Sequence, residues 1–152
     1  MTQPDERAYD ATFRISKGLF QLTDERVVPE LAEPAIRSGD LLVPHIAGGA
    51  TVICGIDTGP VRVRAEVHAT APAPDAASWE EVAETTFDAP VGRVRVVPLF
   101  EWPVADIGPL TDGPGNYRVR VSARGRDTAR NRFVEAPTED YLLQVWPDVP
   151  TE

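Results

Sequence analysis

Short stretches in which apolar and polar residues alternate recur along the chain, and prolines and glycines break them every few residues. Alternation with a period of two places one set of side chains on each face of a strand. The pattern predicts a strand over Tyr9–Ile15, a turn at Lys17-Gly18 and a return strand over Leu19–Leu22. It predicts short strands at Leu41–Val43 and Thr51–Ile56. The clearest runs are Val61 to Ala69, with Val61, Val63, Ala65 and Val67 inward, and Tyr117–Ala123, with Tyr117, Val119, Val121 and Ala123 inward. Arg93–Val97 alternates in the same way, and Asp140–Trp146 is the last strand, stopped by Pro147. Ser78–Phe87 reads as a strand. A helix capped by Ser78, with Glu81 three residues on, is the alternative. Pro29–Arg37 has near-helical spacing, but Pro34 limits it to a turn or two. Thr70–Asp75 and Gly125–Pro137 read as loops, Pro98–Pro114 as one long connection, and Asp112–Asn116 as a turn. The expected fold is therefore all-β: an antiparallel β-sandwich of about eight or nine strands with at most one short helix. Residues 1–152 are read as a single domain, with 1–7 and 148–152 as frayed ends.

Composition narrows the function more than the fold. A chain of 152 residues can bury a core without a disulfide or a metal. The single cysteine, Cys54, sits in the apolar run Thr51–Ile56 and reads as a small buried hydrophobe. A net charge of −9 argues against direct nucleic-acid binding and suits a basic protein partner. No charged-then-apolar leader and no span of ~18 apolar residues is seen, so the expectation is a cytoplasmic protein without membrane contact. The two histidines, His45 and His68, form no metal-ligand pattern, and no nucleophile elbow, phosphate loop or dinucleotide fingerprint occurs. No catalytic residue, metal or cofactor is expected, and the working form is a monomer or homodimer.

Three features carry binding potential. Arg62, Arg64, Arg93, Arg95, Arg118 and Arg120 fall on the outward faces of predicted strands. If those strands share a sheet, the forks form a face for an anion or an acidic partner. Otherwise they pair across strands with acids such as Glu66, Glu80 and Glu84. The connection holding Glu101, Trp102, Asp106 and Asp112 combines an aromatic anchor with acids and is the candidate partner-binding loop. Tyr141–Trp146 is apolar on both faces, as in a strand covered on both sides or an edge facing a partner.

The residues Leu110-x-x-Gly113, Gly115-x-Tyr117-Arg118-Val119-Arg120-Val121 and Glu139-x-Tyr141-Leu142-Leu143-Gln144-Val145-Trp146-Pro147 resemble a pattern in small actinobacterial proteins. More distantly, with the opening Tyr9-to-Phe13 strand, the chain is similar to the ComJ family of inhibitors of the DNA-entry nuclease. That resemblance implies a small acidic protein that occupies the active site of a basic nuclease. The arginine-bearing faces depart from a DNA mimic, so the acids would come from loops. The expected function is a non-catalytic protein-binding domain of inhibitor or immunity type. The alternative is a small-ligand or carbohydrate binder, which needs Trp102 or Trp146 exposed. An enzyme of unrecognised type would need a histidine clustered with carboxylates in a cleft.

Overall fold

The structure, a computed structural model, describes residues 7–25, 40–45, 48–75, 77–98, 105–110 and 113–148; of 105–108 only the backbone is described. The described residues contain ten strands and no helix: β1 (Arg7–Ile15), β2 (Leu19–Asp24), β3 (Leu42–Pro44), β4 (Gly49–Ile53), β5 (Gly59–Val67), β6 (Glu81–Ala89), β7 (Arg93–Pro98), β8 (Ala105–Pro109), β9 (Gly115–Arg124) and β10 (Asp140–Pro147). They form two five-stranded sheets, ordered β1-β5-β10-β9-β6 and β3-β4-β2-β7-β8, and neither closes into a barrel.

One apolar cluster draws residues from both sheets, among them Phe13, Val61 and Leu143 from the first and Leu22, Val52 and Val96 from the second. Phe20 of the second sheet meets Phe13 and Tyr141 of the first edge-on, at centroid distances of 5.5 and 5.4 Å. Such edge-to-face pairs are a preferred aromatic geometry in cores.

Three expectations need correction. The first sheet is mixed: β10 runs parallel to β5, while its other pairings are antiparallel. The segment between β5 and β6, described at 68–75 and 77–80, carries the chain over the sheet to the far edge, and β9 and β10 later fill the gap. β6 therefore runs in the same direction as β5 with two strands between them, and a chain that re-enters a sheet in the same direction needs a crossover rather than a hairpin. Second, the stretch taken as one connection contains β8, an edge strand paired only with β7. Its Ala-Asp-Ile-Gly-Pro sequence has low strand propensity, so alternation does not reveal it. Third, β2 does not return beside β1 but pairs with β4 and β7 in the other sheet. Lys17 and Gly18, at φ 61° and 73°, make a two-residue turn closed by the Ser16–Leu19 bridge. Positive φ at both central positions is the backbone of a tight hairpin turn, here passing the chain between sheets.

The segment 78–87 is strand, not helix, and β6 pairs along its length with β9. The short-helix segment Pro29–Arg37 lies outside the described residues. Two residues assigned to frayed ends are held: Arg7 pairs with Val67, and the Asp148 N–H bonds the Asn116 carbonyl at 3.0 Å. No helix among the described residues is long and apolar enough to cross a membrane.

Candidate functional site

The outward face of the first sheet carries charge in transverse rows, because strand pairing brings Glu66, Gln144, Arg120 and Glu84 into register. The Gln144 amide donates to Glu66 at 3.0 Å, Arg120 donates to Gln144 Oε1 at 3.3 Å, and Arg120 Nε donates to Glu84 at 2.8 Å. In a second row Arg62 Nε and Arg124 Nε both reach Asp140, at 2.5 and 3.0 Å. Between the rows, Arg64 pairs with Asp10 and Glu66, both at 2.8 Å. Arg118 lies 3.6 Å from Glu84 and 3.8 Å from Asp148.

These pairings set the ionisation of the acids. The hydrogen bond from Arg62 holds the Asp140 carboxyl below its ordinary range, partial burial opposes this, and the Arg124 bond adds to it. Burial pushes the Glu66 carboxyl up, but hydrogen bonds from Arg64, His68 and Gln144 outweigh it and the net shift is downward.

The 68–80 crossover lies against this face. Arg120 donates to the Pro72 carbonyl at 3.0 Å and Arg124 to the Ser78 carbonyl at 3.3 Å. The Arg124 guanidinium sits 4.7 Å from the Trp79 ring centre, and the Arg120 guanidinium 4.9 Å from that of Trp146. Trp146 is 6% exposed. The apolar outer face of β10 is thus explained by a central strand with a covered face, and an exposed Trp146 is not available to a ligand. Between the crossover and β1 a groove of about 730 Å³ remains. Arg62, Arg64, Asp140 and Leu142 form its floor, and Asp10 and Trp79 stand on its walls.

Of the six arginines singled out from sequence, Arg62, Arg64, Arg118 and Arg120 share the first sheet; Arg93 and Arg95 lie on β7 in the second. Arg93 Nε is 3.7 Å from Glu25, and Arg95 donates to the Glu25 carbonyl at 3.0 Å. Glu101, Trp102 and Asp112 lie outside the described residues; the backbone of Asp106, on β8, pairs with Arg95 of β7. The histidines follow strands of different sheets, His45 after β3 and His68 after β5. His68 Nε2 is 2.9 Å from Glu66, and His45 Nε2 is 2.7 Å from the Thr51 hydroxyl. Among the described residues no group of histidine, cysteine and acids could hold a metal ion.

A polar cluster that sequence reasoning missed lies inside. Glu139, with no exposed surface, accepts the N–H groups of Gly55 and Ile56 at 2.8 and 2.7 Å and the hydroxyl of Tyr141. Arg126, 2% exposed, donates to Glu81 at 2.5 Å. Cys54 is buried beside them. Burial above all pushes its thiol far above the ordinary range, and the same cause raises the Tyr141 hydroxyl. Cys54 is therefore expected to resist a thiol-specific reagent at pH 8 in the native protein and to react stoichiometrically in denaturant. Rapid labelling without denaturant would contradict the buried placement.

No protein-family model matches the sequence, and no curated protein matches it. Solved structures do. The structure of ComJ from Bacillus subtilis, the inhibitor of the DNA-degrading activity of NucA, superposes with a TM-score of 0.65 over 93% of this chain and 98% of that one, at 10% identity. The fold is shared with ComJ. The product of crocagin biosynthetic gene J superposes with a TM-score of 0.60 over 95% of this chain and 99% of that one, at 17% identity. The likeness to ComJ read from the glycine-tyrosine strand and the final strand thus holds in three dimensions. At these identities it carries the fold and no residue roles.

Proposed function

We propose that this chain is a non-catalytic protein-binding domain, an inhibitor or immunity-type protein that docks on a basic partner. One observation carries the reading: a chain of net charge −9 shares almost the whole fold of a nuclease inhibitor. The first sheet's arginines support it indirectly. Arg62, Arg64, Arg118, Arg120 and Arg124 all lie against carboxylates of the same face, so this sheet is not an open cationic surface that would repel a basic partner. Glu101, Trp102 and Asp112, with Asp106 on β8, are the partner-contacting residues in this reading, Trp102 as anchor and the acids steering encounter. Residues 1–152 form one domain, its two sheets the layers of a sandwich, working in the cytoplasm as a monomer or homodimer.

The test is an inhibition assay with a basic DNA-degrading nuclease from the same cell, following plasmid cleavage at low and high salt. Inhibition should saturate near equimolar ratio and weaken as salt rises, since exposed charges are screened. Reversing both Glu101→Lys and Asp112→Lys should weaken inhibition by about tenfold or more. Undiminished cleavage in a large molar excess of the protein removes the nuclease reading.

A further inference from the structure

We propose that the groove between β1 and the 68–80 crossover binds a carboxylate carried on an apolar body, and that Arg62 is the group that receives it. The proposal stands apart from the nuclease reading and rests on how Asp140 is used. Asp140 takes Arg62 through Nε on one oxygen and Arg124 through Nε on the other. Asp140 is the one partner of the Arg62 guanidinium among the described residues. Held by its Nε edge, Arg62 keeps its two terminal nitrogens for another group, and that planar fork matches a carboxylate. Its side chain is 52% exposed and lines the groove.

Its neighbours differ in kind. Arg64 is engaged through Nε and a terminal nitrogen by two separate acids. Arg124 is occupied by Asp140, the Ser78 carbonyl and the Trp79 ring. Arg120 is buried between Glu84, Gln144 and the Pro72 carbonyl. An arginine lattice that served only to hold the sheet would engage Arg62 as fully as these. The Asp140 row instead sets two guanidinium groups against one carboxylate, a net charge of +1 within an acidic protein.

The rest of the groove selects the ligand. Leu142 on the floor and Trp79 on the wall offer apolar surface beside the charged end. Asp10, Glu66, Asp75 and Asp140 line it together with Arg62, Arg64 and Arg124, so the groove as a whole repels a polyanion, and a single carboxylate is received only where it reaches the terminal nitrogens of Arg62. About 730 Å³ accommodates a ligand of a few residues' size. The carboxylate could belong to a free branched-chain acid or to the C-terminus of a peptide.

The probes are acetyl-Gly-Leu as the free acid, the same dipeptide as the amide, and 4-methylpentanoate. Binding is followed by calorimetry and by tryptophan fluorescence, since Trp79 lines the site. The free acid should bind at least about tenfold tighter than the amide, the difference a charge-assisted fork is worth. Arg62→Met, at a half-exposed position, should melt like the parent and lose that preference. Trp79→Phe should lose the fluorescence change while the calorimetric signal persists. Preference for the dipeptide acid over 4-methylpentanoate identifies a peptide terminus; equal binding identifies a free acid. Absence of binding by either acid, equal affinity for acid and amide, or unchanged binding by Arg62→Met overturns the proposal. None of these readouts involves a nuclease, so they leave the inhibitor reading to its own assay.

Discussion

Replacing Glu139 by alanine is expected to lower stability by about 4–6 kcal/mol, because a buried donor left without its acceptor costs roughly 1–3 kcal/mol. Three such donors are involved: the Gly55 N–H, the Ile56 N–H and the Tyr141 hydroxyl. None can turn to water, since Glu139 has no exposed surface and Tyr141 is 1% exposed. For a domain of this size each kcal/mol shifts the melting temperature by roughly 2–4 °C, so a fall of about 10–20 °C is expected. Glu139→Gln keeps the shape but turns an NH₂ group toward donors, and should lie between parent and alanine variant. Calorimetry or chemical denaturation measures both. A loss under about 1 kcal/mol for Glu139→Ala would mean that the carboxylate does not hold this end of the molecule together. The effect is large because Glu139, just before β10, ties the final strand to the link from β4 to β5.

Gly55→Ala should be as damaging by a different route. An added Cβ would lie 1.9 Å from the Arg126 carbonyl oxygen, 2.6 Å from its carbon and 2.8 Å from the Arg126 Cα. All three are backbone atoms, so no rotamer change relieves the contact. Separating the segments would strain the Gly55–Glu139 bond and the one from the Asn131 N–H to the Gly55 carbonyl at 2.8 Å. The expected cost is about 3–5 kcal/mol, in the range of the severest single substitutions, or failure to fold. Gly113→Ala is the contrast. That residue is at φ 66° with nothing within 4 Å of a new Cβ, so only the left-handed backbone is penalised, by about 1 kcal/mol. Soluble yield and denaturant midpoint compare the two, and near-equal losses would show that close packing at Gly55 is not what forbids a side chain.

Neither prediction could be made from the sequence. Glu139 precedes a strand in a chain rich in acids, and no local feature separates it from a surface carboxylate. Arg126 falls in a stretch that reads as polar loop, yet it is buried against Glu81. Asp24 is another such acid, wholly buried and accepting the Gly92 N–H at 2.9 Å. What buries each is chain far away in sequence.

The all-β character was legible because alternation is a local property: a strand buried on one face must repeat every second residue, whatever its neighbours. Val61 to Val67 and Tyr117 to Ala123 show this, with the inward residues named from the pattern buried in the structure. The likeness to ComJ was legible for a related reason, since its glycine-tyrosine and final strands are local motifs. Which strands are neighbours was not legible, because pairing joins residues such as Arg62 and Asp140 across seventy-eight positions. Tertiary structure alone decided that Arg62 and Arg64 share a face with Arg118 and Arg120 but not with Arg93 and Arg95. It also decided that Trp146 is buried with the Arg120 guanidinium over its ring and that a groove remains beside Trp79. Propensity and periodicity act within a few residues of each other, whereas a groove, a shared carboxylate and a buried charge exist only once distant strands are laid side by side.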